Sequence, residues 1–191
     1  MERNELMKLT TAGVLAAIIT MMTFTPYVGY ISYGALSITT LHIPVIIGAI
    51  LLGPMYGAFL GAVWGIDCLI YAVIGATSDG AIFVNPIISV VPRIIVGIVA
   101  AFVFIGLEKL IKIRFVAIPL TAIAATLTNT VLVLTAIHLF GSHGIVLLSG
   151  IVKDIFMVAI SLNGLVELIA AIILVPAIVK TLDATKLSKK F

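Results

Sequence analysis

Residues 83–97 read FVNPIISVVPRIIVG and place an arginine and two prolines inside a run of otherwise apolar residues. Arg93 is a charge at membrane depth, which costs roughly 2.5–3.5 kcal/mol near the centre of a lone helix. Pro86 and Pro92 leave backbone carbonyls without their helical donors, and such carbonyls are tolerated only where protein or a cavity satisfies them. A solute-binding site near Arg93 is therefore our first hypothesis.

The rest of the chain has the composition of an integral membrane protein. Of its 191 residues, 62% are hydrophobic and only 10% are charged, which is outside the range of a soluble domain. The apolar runs are long and lack the alternation of a β-barrel, so we predict an all-α membrane protein, a six-transmembrane-helix bundle forming a single domain over 1–191. The predicted helices are 9–25, 38–52, 54–75, 86–107, 115–140 and 154–180.

The positive charges predict the orientation. All but two of the eleven Lys and Arg residues fall in the termini or in the short segment 108–114, as the positive-inside rule expects of cytoplasmic regions. The exceptions are Arg93 and Lys153. Both termini should therefore lie inside, in the plasma membrane of a bacterium, and the segments 26–40 and 76–88, which lack Lys and Arg, should form outside loops that cap a solute pocket. We interpret the positive charge as a sign of membrane orientation, and we predict no nucleic-acid partner.

Polar residues recur at one predicted depth. Arg93, Asp67, Asn129 and Glu167 each lie about 13–14 residues from the cytoplasmic end of a predicted helix, roughly 20 Å at 1.5 Å per residue. Several helices would thus bring polar groups to one layer that opens outward. The candidate substrate-binding residues are Arg93, Asn85, Asn129, Asn163, Glu167, Asp67, Trp64, Tyr71 and His42.

Each of these candidates has a structural alternative. Arg93 could neutralise Asp67 or Glu167 as a buried ion pair that holds helices together. The amides of Asn129 and Asn163 could form hydrogen bonds between helices. His42, beside Pro44, could simply end a helix.

Small residues form two strips. Ala12 and Ala16, together with Gly13 and Ala17, line one side of the first predicted helix, where another helix of this chain or of a partner could approach closely. Gly53, Gly57, Gly61 and Gly65 recur every four residues in 54–75 and predict close packing against a neighbouring helix.

Motifs for catalysis are absent from the sequence. It contains no GxxxxGK[ST] phosphate loop, no HExxH and no GxSxG, and its single cysteine, Cys68, offers no disulfide or metal-ligand set. We therefore predict no catalytic residues, no cofactor, no metal and no ATPase activity.

Four segments carry a resemblance to a known family. AGVLA (12–16), LHIPVIIGAILLGPMYGAFLGAVWG (41–65), NPIISVVPRIIVGIVA (85–100) and LTNTVLVL (127–134) resemble the substrate-binding S components of energy-coupling-factor (ECF) vitamin transporters. The resemblance covers nearly the whole chain. It implies a six-helix subunit that binds one vitamin from outside and works with a membrane coupling protein, the T component, and two cytoplasmic ATPases. It also implies that Ala12 and Ala16, which match the Ala-x-x-x-Ala motif of the family, dock on the coupling protein.

The sequence looks most like the pantothenate branch of that family, and a guanidinium at Arg93 would suit the carboxylate of pantothenate. Because Asp67 and Glu167 bring two negative charges to the same layer, a neutral or cationic cargo such as hydroxymethylpyrimidine, pyridoxine or riboflavin is the alternative within the family. An autonomous carrier coupled to protons through Asp67 or Glu167 is the alternative outside it, and an intramembrane enzyme is a third, for which no nucleophile or metal set is present.

Overall fold

A computed structural model describes residues 3–33, 36–75, 80–140 and 150–184, and side chains within these ranges except at 32–33, 36–37, 80–81 and 150–161. Its elements follow in chain order: α1 Arg3–Phe24, β1 Tyr30–Tyr33, β2 Leu36–Thr39, α2 His42–Leu52, α3 Pro54–Val73, α4 Gly80–Phe83, α5 Pro86–Ser89, α6 Val91–Ile111, α7 Arg114–Phe140 and α8 Gly150–Ala184.

Within the described residues, five stretches are long and apolar enough to cross a membrane: Arg3–Phe24, Pro54–Val73, Pro86–Ile111, Arg114–Phe140 and Leu162–Ala184. This agrees with the predicted helical membrane protein. A sixth span is not confirmed, because α2 has 11 residues and at 1.5 Å per residue covers only about 16 Å.

The predicted start of the second helix at residue 38 is wrong. Ile38 and Thr39 belong to β2, which pairs antiparallel with β1 so that Tyr30 lies opposite Thr39. The alternating sequence between the helices favours an extended hairpin there, and the helix begins at His42. The fold is therefore helical with one short β-hairpin between α1 and α2.

Helix α2 occupies the centre of the bundle. It packs against α1, α3, α6, α7 and α8, and every residue from His42 to Ile50 is buried. A helix that is apolar on all sides is stable in lipid or enclosed by other helices, and α2 is enclosed.

The glycine strip of α3 packs directly against α6, as the four-residue spacing predicts. A Cβ added at Gly57 would lie 2.4 Å from the carbonyl oxygen of Gly97, and one at Gly61 would lie 2.2 Å from that of Arg93. Only glycine permits this approach. Gly53, the first of the strip, instead adopts a positive φ of 92° in the turn between α2 and α3.

Two other predicted boundaries differ. The predicted helix 86–107 is two helices, α5 and α6, separated at Val90 where Pro92 interrupts the hydrogen-bond ladder. The helix predicted over 154–180 begins four residues earlier, at Gly150 of α8; residues 141–149 before it lie outside the described residues.

At the end of the bundle predicted to face the cytoplasm, Arg114 joins three helices. Its side chain forms ion pairs with Glu108 of α6 at 2.9 Å and with Asp183 of α8 at 3.1 Å. All three residues are partly exposed, so the ion pairs orient the helix ends but contribute little to stability.

Candidate functional site

The side chain of Arg93 is placed by the proline before it. Because Pro92 has no amide hydrogen, the carbonyl of Ile88 four residues earlier has no helical donor. Arg93 Nη1 donates to that carbonyl oxygen at 2.6 Å, so the guanidinium satisfies the group that the proline leaves open. Arg93 is only 5% exposed.

Two aromatic rings hold the guanidinium of Arg93. Its central carbon lies 5.2 Å from the ring centroid of Trp64 on α3 and 5.2 Å from that of Phe83 at the end of α4. Such cation–π contacts are strongest where water is excluded. The Nε of Arg93 has no hydrogen-bond partner among the described residues, which leaves a charged donor available for a ligand.

The two buried carboxylates are engaged by neutral donors. Asp67 Oδ2 accepts a hydrogen bond from the hydroxyl of Thr20 on α1 at 2.8 Å, and Glu167 Oε1 accepts the backbone N–H of Thr39 at 2.8 Å. The ion pairs between described side chains join other residues. The buried pair that the sequence left open between Arg93 and either carboxylate is therefore not observed in this part of the chain.

The β-hairpin lies over the same region. Its Tyr30 stacks on Tyr71 of α3 with the ring centroids 4.8 Å apart, and Phe24 meets the same ring edge-on at 6.1 Å. The hairpin is also joined to α8, because the backbone N–H of Thr39 donates to Glu167 Oε1. The hairpin, α3, α6 and α8 thus meet around Arg93.

The remaining predicted site residues divide into two groups. His42 is fully buried and lies 6.5 Å from Trp64, centroid to centroid, and Asn129 is 5% exposed on α7. Asn85 instead caps α5, because its Oδ1 accepts the backbone N–H of Ile87 at 3.0 Å. Asn163 is buried and already interacts within the chain.

The structure adds residues that the sequence analysis did not select. Tyr30, Phe83 and Thr126 contribute a buried hydroxyl, a ring against Arg93 and a second buried hydroxyl. Aromatic residues in a predicted loop and a threonine in an apolar helix are too common to signal a site by sequence. Within the described residues no group of His, Cys, Asp and Glu could hold a metal ion.

Several polar atoms in this region are buried without a hydrogen-bond partner among the described residues. They are Arg93 Nε, Thr126 Oγ1 and Asn129 Oδ1. Buried polar groups are nearly always satisfied in folded proteins. This concentration around Arg93 and along α7 is the feature expected of a binding site whose ligand supplies the missing partners.

Comparison with known proteins agrees with this architecture. Residues 7–179 match the family model described as "ECF transporter, substrate-specific component". The chain belongs to this family. The match confirms the resemblance drawn from the sequence.

Two relatives are similar to this ECF substrate-specific component. One is named "Pantothenic acid transporter PanT", from Lactococcus lactis subsp. cremoris; it is 38% identical over 198 residues, which cover 94% of this chain and 96% of the relative. The other is named "Pantothenate transporter PanT", from Leuconostoc mesenteroides subsp. mesenteroides; it is 36% identical over 109 residues, which cover 54% of this chain and 53% of the relative.

The predicted docking residues of α1 do not share one environment. Ala12 is fully buried. Ala16 is partly buried and packs against the core cluster that contains Ile19 and Trp64. Gly13 and Ala17 are exposed on the adjacent side of the helix, and a Cβ added at Gly13 would meet no atom within 4 Å. Ala12 therefore packs within this chain, and the small residues left open to a partner are Gly13 and Ala17.

Proposed function

We propose that this chain is the pantothenate-binding membrane subunit of an ATP-driven uptake transporter. The observation that carries the proposal is the buried guanidinium of Arg93, which has an open Nε and no ion pair to Asp67 or Glu167. Pantothenate ends in a carboxylate, and a guanidinium offers that group a charge-assisted hydrogen-bonded fork. The names of both relatives support the same ligand.

Three features of the surroundings of Arg93 bear on the proposal. The rings of Trp64 and Phe83 lie against the guanidinium, which is buried, and exclusion of water strengthens its interaction with a carboxylate. Asp67 is directed to Thr20 of α1. Glu167 accepts the N–H of Thr39, so its hydrogen bond stabilises the hairpin over the site.

We place both termini of the chain in the cytoplasm, with six membrane-crossing segments. α2, the shortest, forms the second segment, and the hairpin and α4 lie on the outer side. The basic residues of the α6–α7 junction and of the C-terminal end support this orientation. The site around Arg93 then opens to the outside, as an uptake protein requires.

The energy for uptake comes from partners in this proposal. The sequence carries no phosphate-binding loop, and the family is that of a transporter component. We infer a membrane coupling protein with two cytoplasmic ATPases, and we place the contact with the coupling protein on the exposed side of α1 around Gly13 and Ala17. Close packing of helices in a membrane favours small residues of this kind.

Calorimetric titration of the purified chain in detergent tests the ligand and the role of Arg93. Pantothenate should bind one to one. Arg93→Gln should weaken pantothenate binding by about 100-fold, because hydrogen bonds to a charged group contribute about 1.5–3 kcal/mol each. Binding of the neutral analogue in which an alcohol replaces the carboxylate should change less than about threefold.

Arg114→Gln is the matched control, because Arg114 also contacts an aromatic ring, at 5.0 Å from Phe104, but lies at the far end of α6 and α7. It should leave both affinities unchanged. Failure of the wild-type chain to bind pantothenate, or equal losses for the acid and the alcohol in Arg93→Gln, would contradict the proposal.

A further inference from the structure

Thr126 differs from its neighbours on α7. Thr121, Thr128 and Thr130 each donate their hydroxyl to the backbone carbonyl four residues earlier, at 2.8, 2.7 and 3.2 Å. This back-bonding is the usual way in which a helix satisfies a threonine. Thr126 is 1% exposed, yet its Oγ1 has no partner among the described residues.

Asn129 adds a second open group on the same side of α7. It lies three residues after Thr126, so the two side chains share a face of the helix, and its Oδ1 is likewise buried without a partner in the described chain. An unpaired buried polar group costs about 1–3 kcal/mol. Two such groups one turn apart form a polar patch on α7 that the described residues do not satisfy.

The chemistry of these atoms is opposite to that near Arg93. Arg93 Nε and Trp64 Nε1 can only donate, whereas Asn129 Oδ1 can only accept and Thr126 Oγ1 can do both. A carboxylate matches the first pair and would be repelled by the amide oxygen of Asn129. A hydroxyl group matches the second pair, because it can donate to Asn129 and accept from Thr126.

We propose that Thr126, together with Asn129, binds the hydroxyl groups of the ligand whose carboxylate binds Arg93, and that Thr126 thereby determines specificity. α7 packs against α6, which carries Arg93, so both ends of one ligand can be held between these helices. This inference rests on the proposed function. Pantothenate carries two hydroxyl groups on its acyl end and the carboxylate at the other, which orients the acyl end toward α7.

The test compares two ligands and two threonines by calorimetry on the purified full chain. The ligands are pantothenate and the analogue that keeps the carboxylate but has hydrogen in place of both hydroxyls. The variants are Thr126→Val, which removes the open hydroxyl at nearly constant volume, and Thr121→Val, which removes a back-bonded hydroxyl from a fully buried site on the same helix.

Thr126→Val should weaken pantothenate binding by about tenfold, in line with the loss of one buried hydrogen bond, and should leave the dehydroxylated analogue within twofold. Thr121→Val should leave both affinities unchanged. The wild-type chain should prefer pantothenate to the analogue. Thr126→Ser, which keeps the hydroxyl, should bind pantothenate more tightly than Thr126→Ala, and this pair replaces Thr126→Val if that variant fails to fold in detergent.

Equal losses for both ligands in Thr126→Val would assign the hydroxyl to a buried water or to packing and would overturn the inference. Equal wild-type affinity for pantothenate and the analogue would do the same. Failure of the proposed function has a different signature, because the wild-type chain would then not bind pantothenate, or Arg93→Gln would not discriminate the acid from the alcohol.

Discussion

Pro92 and Arg93 act as a pair at the residue scale. The proline removes the amide that would satisfy the carbonyl of Ile88, and the guanidinium of the next residue supplies a donor to it at 2.6 Å. A helix break and a buried charge would each be costly alone in a membrane. When both are present, the guanidinium donates a hydrogen bond to the open carbonyl, and this bond offsets part of both costs. Nε of Arg93 remains available for a ligand.

Glu167 offers a prediction at the same scale, because it is a buried carboxylate that accepts a hydrogen bond from Thr39 and forms no ion pair with Arg93 among the described residues. Glu167→Gln keeps an oxygen for that N–H and removes the negative charge. Pantothenate binding should become about fivefold tighter, as expected for about 1 kcal/mol of relieved repulsion at a partly screened distance. Titration calorimetry at constant ionic strength measures the change.

Glu167→Leu is the comparison for this variant, because it removes the acceptor as well as the charge. It should weaken binding by releasing the end of β2 from α8. Weaker pantothenate binding in Glu167→Gln, with the hairpin still in place, would show instead that the carboxylate itself contacts the ligand.

At the scale of elements, the contact between α3 and α6 positions the site. Gly57, Gly61 and Gly65 allow the two backbones to touch, and this contact brings Trp64 to the guanidinium of Arg93. Hydrophobic burial gives little preference for one helix packing over another in lipid, so close approach of small residues decides which faces meet.

Gly61→Ala should therefore weaken pantothenate binding indirectly, by moving α6. Its Cβ would lie 2.2 Å from the carbonyl oxygen of Arg93 and 2.8 Å from the carbonyl carbon, so α6 must move away from Trp64. We expect a loss of about 1–3 kcal/mol in stability and a loss of pantothenate affinity of at least tenfold, measured by thermal unfolding in detergent and by calorimetry.

Gly13→Ala is the matched control for this experiment. It is also a glycine within a membrane helix, but its added Cβ meets nothing within 4 Å. Both stability and affinity should stay at wild-type values there. A Gly61→Ala variant with unchanged binding would mean that the position of α6 does not control the site.

At the scale of the whole molecule, α1 has one side in the core and one side exposed. Its inner side carries Ala12, Ile19 and Thr23 into the core, while large apolar residues such as Leu6 and Met21 are exposed on its outer side. Small residues interrupt that outer side at Gly13 and Ala17. The docking surface we propose is therefore rotated from the Ala12–Ala16 line that the sequence indicated.

Gly13→Trp and Ala17→Trp should abolish uptake in cells that also express the coupling protein and both ATPases, because the indole fills the space a partner helix would occupy. Pantothenate binding by the purified chain should remain at the wild-type level. Ala12→Trp should instead destabilise the chain, since no space surrounds a fully buried alanine. Uptake assays, copurification of the coupling protein and calorimetry together separate these effects.

Ile18→Trp controls for bulk on this helix. Ile18 is 42% exposed and lies about 100° around the helix from Ala17, so it should leave uptake intact. Normal uptake in Gly13→Trp and Ala17→Trp would place the partner elsewhere on the molecule.

The polar layer shows which features of the site can be predicted from the sequence alone. Depth along a helix follows from counting residues, so Arg93, Asn129 and Glu167 could be selected by position. Direction around the helix depends on which neighbours pack where. For this reason Asp67, selected by depth, turns out to face Thr20 of α1, and Thr126, one turn from a selected residue, was not selected.

The sequence by itself determined the class of protein, the family, most helices, and the charge that needs a partner inside the membrane, because composition, periodicity and the cost of burying a charge are local properties. Only the tertiary structure decided that Arg93 lies between Trp64 and Phe83, that neither buried carboxylate pairs with it, and that residues 36–39 form a strand. Those outcomes depend on which helices touch, and in a membrane this is set by the shapes of small residues brought together from distant parts of the chain.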